Sequence, residues 1–365
     1  MLIKTLPSNI LNKKIKILYA SDGLGNGGKE RQLIETIKNL DRNLFEIGLI
    51  TFNSNQYYSK LSKQISDYFI VFKKDKSVFE PFISVFEAFE RFKPDIVHSY
   101  DLLSSLYTFL PSKIYNSKIV NASIQDTYLD KGWHKKFKKL LLSFSDKNIS
   151  NSVKGLSCYN TNGEVLYNFI DRNRFNGTRN NEKVNVAMVA NFTDYKDYST
   201  YFKVAKRLIQ LNLIDKAYAV GSGKYLSKYK SEMASENEFF ESIVFTGNIE
   251  NVESFLNDIS VGFLFSTEEY GEGISNSVLE YMASGVIPIV SDIGASNEII
   301  DNGVDGFLVD KYDVSGIVEI LRRLRNDEHS RLNIIENAKK KISHKFDIMK
   351  NIRKLENIYT KLYRN

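Results

Sequence analysis

The sequence is poor in the residues that form disulfides and metal centres. Cys158 is the only cysteine among 365 residues, and the four histidines stand at positions 98, 134, 329 and 344. A single thiol excludes a disulfide within the chain and a metal cluster built from several cysteines. The histidines also lack the short spacing that metal ligands show. We therefore expect a protein of the reducing cytoplasm that holds neither a metal nor a cofactor.

Long apolar runs are absent as well. No segment approaches the ~18 consecutive apolar residues of a membrane span. The N-terminus shows no basic and apolar leader with a cleavage site, so we expect no secretory signal. Hydrophobic residues make up 42% of the chain and charged residues 26%, which is typical of a globular protein. A length of 365 residues is enough for two domains.

Charge is distributed unevenly along the chain. The net charge is +6, made up of +10 within residues 1–180 and −4 within residues 181–365. A basic first half favours anionic partners such as phospholipid head groups, phosphorylated substrates or nucleic acid.

Short apolar strand patterns alternate with helical spacing along the chain. Before a polar, aperiodic segment at 171–182, strands are predicted over 15–20, 45–52, 69–72, 95–98 and 118–122. After it, they are predicted over 184–190, 216–220, 243–246, 261–265 and 287–291. Helical spacing fills the intervals and covers 316–326 and 329–363. This alternation predicts parallel sheets with helices on both faces.

The predicted fold class is therefore α/β, with two doubly wound, Rossmann-like domains and a cleft between them. We place the N-terminal domain at residues 1–172 and the C-terminal domain at 183–345. The last helix, at 346–365, is expected to cross back to the N-terminal domain.

A glycine-rich loop follows the first predicted strand. Gly23, Gly25 and Gly28 fit the G-x-G-x-x-G pattern of dinucleotide-binding turns. Such a fold needs an acid at the end of its second strand, whereas the strand here ends in Thr51-Phe52-Asn53. The loop can still bring backbone amides close to an anion at the start of a helix. A plain tight turn is the alternative interpretation.

The most specific pattern is a pair of glutamates around a predicted helix start. Glu272 and Glu280 are separated by seven residues, and the turn between them contains Gly273, Ile274, Ser275 and Asn276. Free amides at a helix start receive phosphate, and carboxylates accept hydrogen bonds from hydroxyls. The pattern therefore favours a ligand that carries both groups, such as a nucleotide sugar. A solvated helix start is the alternative for Glu272.

This segment resembles the E-x7-E region of family 4 glycosyltransferases, which are retaining enzymes of the GT-B fold. The resemblance extends over nearly the whole chain because several other motifs follow in the family's order. They are Gly27-Gly28-Lys29-Glu30-Arg31, Pro94-Asp95-Ile96-Val97-His98-Ser99, Ser145-Asp146 to Asn151-Ser152, Tyr167-Asn168-Phe169-Ile170-Asp171 and Ala219-Val220-Gly221-Ser222-Gly223.

The resemblance implies roles for individual residues. Glu280 would bind the ribose of the nucleotide and Glu272 the hydroxyls of the donor sugar. An arginine and a lysine grip the diphosphate in the family, and Asn191 and Lys196 stand at those positions here. The full set of expected donor-binding residues is Gly27, Gly28, Asn191, Lys196, Gly221, Gly247, Asn248, Glu272, Gly273, Ile274, Ser275, Asn276 and Glu280.

Catalysis would follow from charge. Lys196 and two helix ends would stabilise the departing diphosphate without a metal. Many relatives carry a histidine after the strand that matches 118–122, but here Gln125 and Asp126 follow it. Asp126 is a candidate acceptor base, which makes Glu272, Lys196 and Asp126 the expected catalytic set. His98, Gln125 and Asp126 are the candidate acceptor-binding residues, although a structural role at the end of a strand is favoured for His98.

A basic amphipathic segment spans residues 132–142, with the sequence GWHKKFKKLLL. Such a segment can lie on an anionic bilayer. A helix packed on the core with a solvated lysine face is the alternative.

The sequence thus predicts a glycosyltransferase that moves a sugar from a nucleoside diphosphate donor, such as a UDP-sugar, to a glycan or lipid-linked acceptor. By resemblance the setting is lipopolysaccharide O-antigen or capsule synthesis, in the cytoplasm at the inner face of the plasma membrane. No nucleic acid is expected as a partner. The alternatives are a nucleotide-sugar epimerase of the same double fold, a non-catalytic glycan-binding module and, least favoured, a dehydrogenase.

Overall fold

The computed structural model of the protein describes residues 13–53, 57–72, 80–127, 131–178, 183–239, 241–267 and 269–365. Within these residues no helix combines the length and apolarity needed to cross a bilayer. Two separate parallel sheets, each flanked by helices, make up the described part of the chain.

The first sheet has seven parallel strands. They are β1 (Ile15–Ser21), β2 (Phe45–Thr51), β3 (Tyr68–Val71), β4 (Ile96–Ser99), β5 (Lys118–Ile124), β6 (Lys147–Ser150) and β7 (Glu164–Val165). The helices between them are α1 (Gly28–Asn39), α2 (Ser59–Ile65), α3 (Glu80–Phe92), α4 (Leu102–Ile114), α5 (Gly132–Ser143) and α6 (Val153–Tyr159). The strand order is β3-β2-β1-β4-β5-β6-β7.

The second sheet has six parallel strands. They are β8 (Asn185–Val189), β9 (Lys216–Val220), β10 (Ile243–Gly247), β11 (Val261–Leu264), β12 (Ile287–Ser291) and β13 (Phe307–Val309). The accompanying helices are α7 (Tyr198–Gln210), α8 (Leu226–Ala234), α9 (Val252–Leu256), α10 (Asn276–Ser284), α11 (Ser296–Ile299), α12 (Val314–Asn326) and α13 (Glu328–Lys345), and the chain ends in α14 (Ile348–Arg364). The strand order is β10-β9-β8-β11-β12-β13.

Both sheets reverse their strand order next to a central strand. The reversal lies between β1 and β4 in the first sheet and between β8 and β11 in the second. Loops at such a point diverge to opposite faces of the sheet and leave a crevice at the carboxyl ends of the strands. The loops after β1 and β8 therefore open toward a binding site.

The helical spacing predicted over 329–363 corresponds to two helices, α13 and α14, which a turn after Lys345 separates. The Phe346 carbonyl accepts a hydrogen bond from the Ile170 amide at 2.9 Å, and the Asp347 side chain caps the next helix. This turn directs α14 onto the first sheet. There Ile352 and Leu355 are buried in the same apolar cluster as the strands β1 and β2.

Candidate active site

A cleft of about 740 Å³ lies between the two sheets at the carboxyl ends of their strands. Its volume falls within the range of about 300–1,000 Å³ that is typical of small-molecule sites. Residues of both halves line it, and the loops after β1, β5, β8, β9, β10 and β11 all contribute.

Two helices begin at this cleft without a side-chain cap. Gly27, which has no side chain to act as a cap, precedes α1, and Ser275, whose hydroxyl accepts no hydrogen bond from the first turn, precedes α10. In contrast, aspartates cap α4, α7, α12, α13 and α14. The first amides of α1 and α10 therefore lack the usual side-chain acceptor and are placed to receive an anion.

Glu272 lies in the loop after β11 and pairs with Lys196. The Lys196 ammonium contacts one carboxylate oxygen of Glu272, and the same oxygen accepts a hydrogen bond from the Ser266 hydroxyl at 3.3 Å. The Glu272 backbone is fixed as well, because its carbonyl accepts the Ala295 amide at 2.8 Å. Lys196 is 9% exposed, so this ion pair forms part of the cleft wall and is only partly solvated.

The loop that carries Lys196 is bound to the end of β11. The Asp197 amide donates to the Phe265 carbonyl at 2.9 Å, and the Thr267 amide donates to the Tyr195 carbonyl at 3.0 Å. Lys311, which is 3% exposed, donates to the Asp197 carboxylate at 2.7 Å and to the Ser266 carbonyl at 3.0 Å. Burial opposes ionisation of Asp197, but the hydrogen bonds from Lys311 and Thr200 outweigh it and lower the pKa of this carboxyl.

Glu280 lies in the second turn of α10 and pairs across the cleft. One of its oxygens contacts the Arg31 guanidinium, which comes from the first turn of α1. The Glu280 side chain is 6% exposed and the Arg31 side chain 31% exposed. The carboxylate of one half is therefore held by a cation of the other half.

The two halves also meet through backbone contacts beside Glu272. Asp126 and Glu272 form an antiparallel bridge, and the Thr127 amide donates to the Gly271 carbonyl at 2.9 Å. A Cβ added to Gly273 would lie 2.4 Å from Asn151 Oδ1 and 2.5 Å from the Gln125 carbonyl oxygen. Only glycine allows this close approach, which places Gln125 and Asp126 beside the paired Lys196 and Glu272.

All the predicted site residues except His98 and Gly247 line the cleft. Their individual roles stay predictions. Gly247 lies behind the lining, where its carbonyl accepts the Gly221 amide at 2.9 Å.

The structure corrects the placement of His98. The side chain is 1% exposed and points into the core of the first sheet, where Nδ1 lies 2.5 Å from the Tyr359 hydroxyl. The ring also stacks on Tyr100, with 4.8 Å between the ring centroids. Burial lowers the pKa of His98 to about 3, so the imidazole is neutral at physiological pH. His98 therefore cannot contact an acceptor in the cleft.

Other lining residues were not predicted as site residues. The side-chain amide of Asn168 donates from Nδ2 to the Ile274 carbonyl at 2.6 Å, which fixes the turn before α10. Tyr195 lies beside Lys196, and burial raises the pKa of its phenol. Asn168 lies within the family motif Tyr167-Asn168-Phe169-Ile170-Asp171, which is a signal that could have identified it. Tyr195 is identified as a lining residue only from its position in the folded structure.

Within the described ranges, no group of three or more histidine, cysteine, aspartate or glutamate side chains is arranged to hold a metal ion.

Comparison with known proteins supports a single family. Residues 169–341 match the family described as "Glycosyl transferases group 1". Over 95% of this chain and 97% of the relative, the sequence is 23% identical to the UDP-Gal:alpha-D-GlcNAc-diphosphoundecaprenol alpha-1,3-galactosyltransferase of Escherichia coli. The sequence is also 24% identical to an alpha-1,4-N-acetyl-D-galactosaminyltransferase of Campylobacter jejuni, over 90% of this chain and 93% of the relative. The name of that relative includes a glycan acceptor written as a PP-undecaprenol conjugate.

The structure is similar to the crystal structure of Anabaena HepE in complex with UDP. The TM-score is 0.81 at 16% sequence identity, and the match covers 95% of this chain and all of that one. This similarity confirms the predicted α/β architecture of the GT-B type, whereas the narrower assignment to family 4 stays a prediction. The chain is therefore a glycosyltransferase with the GT-B fold, and its residues 169–341 match the glycosyl transferases group 1.

Proposed function

We propose that the protein transfers a sugar from a nucleoside diphosphate sugar to a hydroxyl of a lipid-linked glycan, with retention at the anomeric carbon. The observation that carries this proposal is the convergence of two uncapped helix starts, two carboxylates and two cations on one cleft. The pattern suits a ligand with phosphates at its centre and hydroxyls on either side. The Escherichia coli relative is named for such a donor, UDP-Gal.

The roles follow from the positions of the side chains. One oxygen of Glu280 contacts Arg31, and we propose that its second oxygen accepts hydrogen bonds from the ribose. Glu272 offers its remaining oxygen to hydroxyls of the donor sugar in the same way. The amides at the starts of α1 and α10 are proposed to bind the diphosphate between these two carboxylates.

The chemistry is a substitution at the anomeric carbon. The bond from this carbon to the phosphate oxygen breaks, and its electron pair stays on the departing diphosphate. Lys196 and the two helix starts stabilise that negative charge in a partly enclosed cleft, so we propose that no metal is required. The acceptor oxygen forms the new bond and releases its proton to a base. Asp126 is our candidate, because its backbone is paired with that of Glu272.

We propose that the lipid-linked acceptor reaches the cleft from an anionic membrane at which α5 is docked. Trp133, Phe137, Leu140 and Phe144 follow the spacing of one helical face, yet they are 64%, 38%, 50% and 55% exposed. The apolar side of α5 and the residue after it thus faces outward.

The neighbouring helix α4 extends this surface with Leu110 and Ile114, which are 49% and 61% exposed. The Phe109 and Phe144 rings lie 6.1 Å apart and join the two helices. An apolar face flanked by lysines matches a bilayer with anionic head groups. The setting we propose is lipopolysaccharide O-antigen or capsule synthesis, in the cytoplasm at the inner membrane surface.

The proposal is tested by identifying the donor and then removing the paired charges. A thermal-shift screen of nucleotide sugars, followed by NMR of the product anomer, identifies the sugar and the stereochemistry. Glu272→Gln and Lys196→Ala are then expected to lower turnover by about 100-fold or more, because each loses contact with the donor sugar or its departing charge.

Two exposed residues of the same half provide matched controls. Lys216→Ala and Glu319→Gln make the same chemical changes away from the cleft and should retain normal turnover. Full activity in both cleft variants, or an equal loss in the controls, would overturn the assignment of the site.

A further inference from the structure

The charges that line the cleft do not by themselves favour a diphosphate. The described lining residues include three cations, Lys29, Arg31 and Lys196, and four carboxylates, those of Asp126, Glu250, Glu272 and Glu280. The net charge of the lining is therefore −1. Binding of a diphosphate thus depends on which of these cations have N–H donors that the carboxylates of the protein do not already occupy.

Lys29 is already compensated by its own surroundings. Its ammonium contacts Asp22 and lies 3.3 Å from Asp101 and 3.6 Å from Glu30. Burial opposes its charge, yet Asp101, Asp22 and Glu30 outweigh this effect and raise the pKa of Lys29. Three carboxylates around one ammonium leave little positive potential for a ligand.

Arg31 is in a different situation. A single nitrogen, Nη1, contacts Glu280, and the side chain makes no other hydrogen bond or ion pair with the residues that the structure describes. A guanidinium carries five N–H donors in a planar fork. Most of the Arg31 donors are therefore unused, and the side chain lines the cleft at 31% exposure.

Arg31 also lies close to the uncapped starts of both α1 and α10. It follows Gly28, the first residue of α1, by three positions, and its partner Glu280 follows Asn276, the first residue of α10, by four. One helical turn rises about 5.4 Å. Because helical side chains lean toward the N-terminus of their helix, the guanidinium is directed to the point where the two helix starts meet.

We propose that Arg31 is the second cation that binds the donor diphosphate, together with Lys196, and that Glu280 positions it. One edge of the guanidinium stays on Glu280, and the remaining donors bind the phosphate next to the ribose, as the planar fork allows. A cation from the N-terminal half thus completes a donor site whose other groups come mainly from the C-terminal half. This inference rests on the proposed function.

The test separates binding of the diphosphate from binding of the nucleoside. Titration calorimetry with UDP and with uridine gives the ratio of their dissociation constants for each variant. In Arg31→Met this ratio should fall by about ten- to hundredfold, the range expected when a charge-assisted hydrogen bond is lost. Arg31→Gln, which can still donate to Glu280, should show the same fall, and thermal unfolding shows that each variant is folded.

Lys38→Met is the matched control, since it removes the same charge from the exposed last turn of the same helix. Its ratio should equal that of the unmodified protein. An unchanged ratio in a folded Arg31 variant, or an equal fall in Lys38→Met, overturns the role of Arg31. If UDP does not bind the unmodified protein, GDP and guanosine replace the pair. Failure of both diphosphates to bind the unmodified protein would instead overturn the proposed function.

Discussion

The Lys311 ammonium lies 2.7 Å from the carboxylate of Asp197, the residue that follows Lys196. Lys311 also donates to the Ser266 carbonyl at 3.0 Å, and the Ser266 hydroxyl contacts Glu272. A buried lysine after β13 thus connects the two segments that carry Lys196 and Glu272. Lys311 does not line the cleft, but it fixes the two segments that position the Lys196–Glu272 ion pair.

We expect Lys311→Met to lower both stability and turnover. The variant leaves the Asp197 carboxylate without its cation, which should cost about 1–3 kcal/mol in the free energy of unfolding. The loop with Lys196 loses the connection to Ser266 that Lys311 provides, so turnover should fall about tenfold or more even where the protein is folded. Urea unfolding and a transfer assay measure the two effects.

A second pair away from the cleft separates positioning from stability. Lys341 lies 2.7 Å from Asp301 and also contacts Asp305. Lys341→Met should lower the free energy of unfolding but leave turnover unchanged at a temperature where the variant is folded. Equal effects of the two variants on turnover would show that Lys311 contributes only to stability.

Gly294 is expected to be essential for the placement of Glu272. Its φ is +68°, and an added Cβ would lie 2.3 Å from the Glu272 carbonyl oxygen and 2.6 Å from its amide nitrogen. Gly294→Ala should therefore displace the Glu272 loop and reduce turnover strongly. Gly303 has a similar φ of +76°, but nothing lies within 4 Å of its added Cβ.

Gly303→Ala thus introduces the same kind of backbone strain, from a positive φ, without a steric clash between the new Cβ and neighbouring atoms. Both alanine variants should lose a similar part of their stability from strain, about 1 kcal/mol or more. Only Gly294→Ala should lose turnover beyond the fraction that is unfolded. The assignment of a positioning role fails if the two variants have the same turnover per folded molecule.

Stability should decrease as the pH falls below about 6.5, because His98 is buried in its neutral form. Burial lowers its pKa from 6.5 to about 3. Between these values the unfolded chain binds a proton that the folded protein does not, so the free energy of unfolding falls by about 1.4 kcal/mol per pH unit as the solution becomes more acidic.

Urea unfolding of the protein and of His98→Asn, from pH 7 to pH 5, isolates this effect. Asparagine offers an amide near the position of Nδ1, the atom that contacts Tyr359. The variant is expected to be less stable at pH 7 and to lose less stability on acidification. The same slope in both proteins would show that other groups cause the pH dependence.

Docking of α5 on lipid is expected to depend on three of its lysines. Lys136 and Lys139 are exposed and Lys135 is half-buried, whereas Lys138 is 5% exposed and lies 4.6 Å from the centre of the Tyr159 ring. The triple variant with glutamate at positions 135, 136 and 139 should lose sedimentation with anionic vesicles at low salt. Each lysine near such a surface contributes about 1 kcal/mol.

A triple variant of the C-terminal half makes the same change in net charge. Lys203, Lys216 and Lys230 are exposed, and their replacement by glutamate should leave vesicle binding nearly unchanged. If both triple variants lose binding equally, attraction depends on total charge and not on α5. Vesicles of neutral lipid give the baseline for both proteins.

Much of the fold was predictable because parallel strands in a covered sheet are short, apolar and followed by helical spacing. The bounds predicted for β9, β12 and α10 agree with the structure. The strands β6, β7 and β13 were not predicted, since each has only two to four residues and no distinct pattern. Helical spacing covers both α13 and α14, but periodicity alone does not reveal the turn at Phe346, which depends on a contact with Ile170.

Most of the candidate site was predictable for a related reason. Glu272, Gly273, Ser275 and Glu280 belong to one loop and one helix, so their spacing fixes their arrangement. His98 lies near the end of β4 in a recognisable motif, but the return of α14 places Tyr359 beside its ring in the core. No local pattern shows which face of a strand end points into a cleft.

The sequence by itself determined the two sheets, the glycine-rich loop and the pair of glutamates, because these depend on the order of neighbouring residues. Only the tertiary structure decided which cation faces which carboxylate. Arg31 and Glu280 are 249 positions apart, and Lys311 and Asp197 are 114 apart. Contacts over such separations exist only once the sheets, the cleft and the returning helix bring distant segments together, and no spacing along the chain specifies them.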